Sequence, residues 1–130
     1  MLSGSLSRGE ISVQDLTLGE LVETTSRSMK DAIAFSDEYG MVLAVNAAYG
    51  KLHGFTEQEV VGRSFTVTVP QDERAAAQAA YREAFQSAAP ALHRSTIQRS
   101  DGADRRVESR ITFVERRGGR MLMLSAIRDI

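Results

Sequence analysis

The chain has no cysteine. Disulfides, thiolate catalysis and cysteine-ligated zinc or iron–sulfur centres are therefore excluded. The absence fits a reducing compartment, and the cytoplasm is the expected location. Tryptophan is also missing, and there are only two histidines and two prolines. No apolar run reaches the ~18 residues that a membrane span needs, so no membrane partner is expected. Neither sign of charge is in excess: 16 basic residues face 17 acidic ones, for a net charge of −1. That balance gives no electrostatic reason to expect nucleic acid. What remains is a chain of 130 residues, 42% apolar and 25% charged, which suits one globular domain with a core of its own.

Residues 1–16 read as a flexible leader; Met1 to Ile11 are polar and glycine/serine-rich, unlike a signal peptide. The first clear element is an amphipathic helix over 17–30. Thr17 and Glu20 stand at the two positions of a capping box, with Leu16 and Leu21 at the staple positions. Leu18, Leu21, Val22 and Met29 share its apolar face.

From residue 31 the pattern becomes β. Ala32 to Ser36 and Met41 to Val45 are short apolar runs around the turn Asp37-Glu38-Tyr39-Gly40. Asn46 caps a short helix through Leu52 that Gly54 ends. Thr56 and Glu59 form a second capping box, with Phe55 and Val60 as its staple. An alanine-rich helix over 72–87 is predicted to start at Asp72 and to stop before Pro90, with Ala77, Tyr81, Ala84 and Phe85 as its inward stripe. Leu92 to Arg99, Arg105 to Glu115 and Arg120 to Arg128 are three further strands, separated by turns at 100–103 and 116–119. The last strand is apolar on both faces and so needs cover on both. Two strands, then helices, then a three-strand meander point to an α+β fold with an antiparallel sheet.

The residues now on the page resemble the PAS family. The likeness lies in Asp37-Glu38-Tyr39-Gly40-Met41-Val42-Leu43-Ala44-Val45-Asn46-Ala47-Ala48, and continues in Gly54-Phe55-Thr56-Glu57-Gln58-Glu59-Val60-Val61-Gly62-Arg63. It ends with Asp101-Gly102 and the closing Arg128-Asp129-Ile130. Residues 31–130 are thereby assigned to a PAS domain. The resemblance implies a five-stranded antiparallel sheet of order 2-1-5-4-3 flanked by short helices. Most of the matching positions have a structural reason to be there: Asp37 and Gly40 make a turn, and Asn46, Thr56 and Glu59 cap helices.

The resemblance also frames the cofactor question, which the sequence leaves open. Relatives with flavin photochemistry use a cysteine adduct, which this chain has no residue to form. Haem-binding relatives carry a histidine on the long helix, where Ala77 stands here. Of the two histidines, His53 reads as a surface or cap residue at a helix end and His93 as an edge-strand residue. The expected ligand site is a cavity between sheet and helices, lined by Phe35, Leu52, Phe65, Tyr81, Phe85, Ile111, Phe113, Met121 and Met123. Asn46, Tyr81, Arg94 and Ser125 are the polar groups expected to reach a ligand. The alternative is that these residues simply fill the core.

The function implied is a sensory or regulatory input domain of a larger signal-transduction protein. Its C-terminal output domain would be a histidine kinase, a cyclic-dinucleotide enzyme or a transcription regulator. A homodimer through the helix face of Leu18, Leu21, Val22 and Met29 is also expected, and the alternative function is a ligand-free homodimerisation module acting through that face. An enzyme is not expected: Asp37 with His53 is the best pair available, and Asp37 is better explained by its turn.

Overall fold

A computed structural model describes residues 17–26 and 30–130. Helix α1 spans Leu18–Ser26. Strands β1 (Ala32–Ser36) and β2 (Val42–Val45) follow, then helices α2 (Ala47–His53) and α3 (Glu57–Val60). Two 3-10 turns, Phe65–Thr68 and Gln71–Glu73, lead into α4 (Arg74–Ser87). The chain ends in β3 (Ala91–Gln98), β4 (Asp104–Glu115) and β5 (Met121–Asp129). All pairings are antiparallel and the strand order is β2-β1-β5-β4-β3, as the sequence predicts.

Local chemistry sets most boundaries. Thr17 and Glu20 exchange side chain-to-backbone hydrogen bonds of 3.0 and 3.1 Å, and Thr56 and Glu59 do the same at 2.8 and 3.3 Å. Each box satisfies donors that the helix itself leaves orphaned. In the first hairpin the Asp37 Oδ1 accepts from the Tyr39 and Met41 amides. Gly40, at φ +83, packs against Phe65, whose ring carbons lie 3.1 and 3.2 Å from where a Cβ would stand.

One boundary of the long helix differs from expectation and the other agrees. Asp72 lies inside the 3-10 turn Gln71–Glu73, and the α-helix proper begins at Arg74. The helix stops at Ser87 because Ala88 turns left-handed, φ +50, ahead of Pro90.

Strands β1 and β5 lie centrally and are covered on both faces. On the inner face Ala32, Ala34, Val107 and Ile127 pack with Tyr49 and Val60. On the outer face Ile33, Phe35, Ala44, Leu122 and Ala126 pack with Leu21 and Val22 of α1. Burial at this level stabilises by roughly 1.5–3 kcal/mol per large side chain. The cover that the last strand needs on its outer face is thus supplied by the chain's own α1. Leu21 and Val22 are 3% and 8% exposed, so this part of the stripe foreseen as a partner surface is closed by its own sheet. Met29 and Leu16 lie outside the described residues.

The β2 edge is strapped rather than open. Gly62 donates to Val42 O and Val42 to Arg63 O, both at 2.8 Å, and Phe65 donates to Gly40 O. This satisfies backbone groups that an edge would otherwise present to another chain.

Candidate functional site

The inner face of the sheet carries the polar and aromatic groups. Arg74, Ala77, Gln78, Tyr81, Ala84, Phe85 and Ala88 form the covered stripe of α4, at the spacing of one helical face, and only Tyr81 is fully buried. The Tyr81 hydroxyl donates to the Asp37 carbonyl oxygen at 2.6 Å and is hydrogen-bonded to the Ser36 hydroxyl at 2.7 Å. Burial raises the Tyr81 pKa well above the usual phenol range, so the ring stays neutral and α4 is pinned to the first hairpin. From Tyr81 an aromatic series runs both ways. Phe65 stacks on it with centroids 4.6 Å apart; Phe85 lies 5.4 Å away and meets Phe113 edge-on at 5.1 Å.

Phe113 pairs across the sheet with Met123, and Ile111 with Ser125, which in turn pairs with Ala34. These residues therefore share the face that α4 overlies. Met123 is buried, whereas Phe85, Ile111, Phe113, Met121 and Ser125 are half-buried. Strands β4 and β5 and helix α4 thus meet along an incompletely closed seam.

At the other end of the inner face sits His53. It is buried, 1% exposed, which corrects the surface reading. Its ring stacks on Tyr49 at 3.8 Å, and Nδ1 donates to the Tyr49 carbonyl oxygen at 3.0 Å. Burial, with help from the nearby Arg99 charge, lowers the pKa of His53 to about 4 against the opposing Tyr49 hydrogen bond. Burial also pushes Tyr49 up to about 12, the Thr68 hydroxyl partly offsetting it.

The distant β3–β4 turn closes the end of the helix that carries His53. Arg99 Nη1 donates to the Lys51 and Leu52 carbonyls at 2.9 and 2.6 Å. Ser100 donates its amide to His53 O at 3.0 Å and its hydroxyl to Gly54 O. Four carbonyls at the end of α2 are thereby satisfied by one hairpin. Gly54 has φ +77, and a Cβ there would stand 2.8 Å from the Ser100 hydroxyl.

The expected lining is only partly assembled. Tyr81, Phe85, Phe113, Met123 and Ser125 come together at the seam. Phe35 does not: it pairs with Leu124 and packs under α1 on the opposite face. In a strand with apolar residues on both sides, sequence alone does not fix which parity faces which helix. Arg94 also points away. Its strand position is opposite Glu108, which it meets at 3.0 Å on the exposed outer face. Asn46 is occupied structurally: Oδ1 accepts from the Tyr49 and Ile33 amides and Nδ2 donates to Asp31 O. Leu52 packs against the inner core near Ala32 and Ile127, away from the seam.

Ser36 was missed, although a serine on an otherwise apolar buried strand signals a hydrogen-bond partner. No hydrogen bond joins Asp37 to His53 among the described residues; Asp37 serves its turn and lies 3.5 Å from Arg120.

The structure is thus an antiparallel sheet with short helices on one face and a helix closing the other. The family described as PAS fold matches residues 20–130. The chain belongs to the PAS family.

Among solved structures, the PAS domain of an HTR-like protein from Haloarcula marismortui is 25% identical, with TM-score 0.68, covering 86% of this chain and 96% of that one. The PAS domain of the RpfR quorum-sensing receptor from Cronobacter turicensis, in complex with BDSF, is 23% identical with TM-score 0.67, covering 79% and 96%. A PAS domain from a two-component sensor histidine kinase is 15% identical with TM-score 0.69, covering 83% and 92%. At these last two identities the likeness is one of fold. No curated protein matches the chain. No helix among the described residues is long and apolar enough to cross a membrane.

Proposed function

We propose that the chain is the sensory input domain of a larger signalling protein and takes a small, largely apolar ligand at the seam between α4 and β4–β5. The observation that carries this is the Phe65–Tyr81–Phe85–Phe113 series, tethered by hydrogen bonds only at Tyr81 and half-buried beyond it. Aromatic and methionine side chains adapt to apolar guests, and Ser125 offers one hydroxyl for orientation. A ligand that binds one position of α4 better than another shifts that equilibrium and so has a signal to pass on. The RpfR PAS domain holds C12:0 in one of its structures, and that apolar chemistry suits such a seam. The output domain expected is a kinase, a cyclic-dinucleotide enzyme or a transcription regulator.

The chain has no tryptophan, so Phe85→Trp gives a single fluorescent reporter at the seam. Titration with medium-chain fatty acids is expected to shift its emission saturably, and native mass spectrometry of freshly purified protein to show a carried ligand. A clean apo mass together with an unresponsive reporter sinks the reading.

A second reading is a homodimer formed by exchange of α1. Leu21 and Val22 already seal an apolar sheet face in cis, and the same contacts made in trans would bury the same surface. Light scattering on the chain with and without residues 1–30 separates the two; a monomer in both cases removes the dimer.

A further inference from the structure

A groove of about 360 Å³ opens where the start of β1, helix α2 and the end of β5 meet. It lies at the far end of the inner face from Tyr81, since Ala32 pairs with Ile127 here and Ser36 with Met123 there. Its apolar floor is Ala32, Ala48, Leu52 and Ile127, and five cationic side chains and two carboxylates surround it. Both carboxylates have partners: Asp129 lies 2.8 Å from Arg105 and Asp31 lies 3.5 Å from Arg128. Arg99 gives Nη1 to the end of α2 and Nε to Asp101, 3.4 Å away. Setting these three acidic partners against the five cations leaves two charges, those of Lys30 and Lys51. Neither lysine has an ion-pair partner among the described residues. The chain as a whole carries −1, so this positive excess is a local one.

We infer that this groove binds a small organic anion: a carboxylate or phosphate on a short apolar body. The anionic group sits between the Lys30 and Lys51 ammonium groups, and the apolar body lies on Leu52 and Ile127. A concave wall of low dielectric strengthens that attraction over what two lysines on an open surface would give. The volume suits a compact metabolite. The site is separate from the seam and does not depend on it.

The test is an amide-resolved NMR titration of the whole chain with hexanoate, hexyl phosphate and neutral hexan-1-ol. Both anions are expected to shift amides in residues 30–32, 48–52 and 127–129 saturably, more weakly as sodium chloride is raised, and hexan-1-ol is not. The tighter of the two anions identifies the headgroup. In the double variant Lys30→Gln, Lys51→Gln the affinity is expected to fall about tenfold or more, the order expected for loss of two partly screened charges. Equal responses to hexanoate and hexan-1-ol overturn the inference, as does a variant that keeps full affinity. Shifts confined to Tyr81, Phe85 and Phe113 overturn it too, while leaving the seam proposal standing. Should the variant fail to fold, the salt dependence of the unaltered chain decides.

Discussion

Under α1 the outer face of the sheet is sealed by Ile33, Phe35 and Leu122, at 0%, 0% and 2% exposure, whereas under α4 the facing Ile111, Phe113 and Phe85 stay half-buried. The first contact is apolar: its buried residues are Leu21, Val22, Ile33, Phe35, Ala44, Leu122 and Ala126. The second is held by one hydroxyl, that of Tyr81, and by rings that touch at mixed angles. Close-packed cores resist change because every displaced atom loses contacts. A seam that is pinned at one point and loose elsewhere costs less to rearrange. The difference separates a tightly sealed face from a looser one, and the proposed ligand seam lies on the looser one.

The largest expected effect tests that separation directly. Phe35→Ala should cost about 3–5 kcal/mol of unfolding free energy, as for other buried aromatic truncations. Phe85→Ala, at the half-buried seam, should cost well under half of that in the same denaturant titration. Equal losses would mean that the two faces are not different in kind.

Next comes pH. The pKa of His53 is lowered to about 4 in the folded chain, against about 6.5 when unfolded. The unfolded state therefore binds more protons between these values. Stability from this group is fully present above about pH 6.5 and is lost as pH falls towards 4, by an amount on the order of 2–3 kcal/mol. His53→Phe, which keeps a ring on Tyr49, should flatten the stability profile in that window. An unchanged slope would assign it to carboxylates.

Gly54→Ala probes the joint between α2 and the β3–β4 turn. The left-handed backbone alone costs a side chain about 1–2 kcal/mol, and the Ser100 hydroxyl must also give way. A loss of that order is expected in thermal unfolding, with reduced hydrogen-exchange protection of residues 49–54. A fully neutral result would show the hairpin clasp to be idle. The smallest effect belongs to Arg94→Ala: its pair with Glu108 is exposed on the arginine side, and such pairs contribute below about 1 kcal/mol.

How far the sequence could be read follows the range of each interaction. The capping boxes at Thr17 and Thr56, the Asp37 turn, the Asn46 cap and the strand order were legible because neighbours within a few residues, or a recurring family pattern, specify them. The site was half legible. Tyr81, Phe85, Phe113, Met123 and Ser125 share a surface because helical and strand periodicities place them there. Phe35 and Arg94 went astray because parity on a strand is set by pairing, and a register shift between Phe35 and Ser36 lies in that very hairpin. The closure of the helix end at His53 was hidden because Arg99 and Ser100, which bond its carbonyls, stand far along the chain.

The sequence by itself determined the caps, turns and alternation that make this sheet and its helices, since those depend on short-range hydrogen bonding and on side-chain period. Only the tertiary structure decided which face each strand residue serves, that α1 closes on its own sheet, and that Lys30 and Lys51 border one groove. Those outcomes depend on contacts between segments remote in sequence, whose meeting no local pattern encodes.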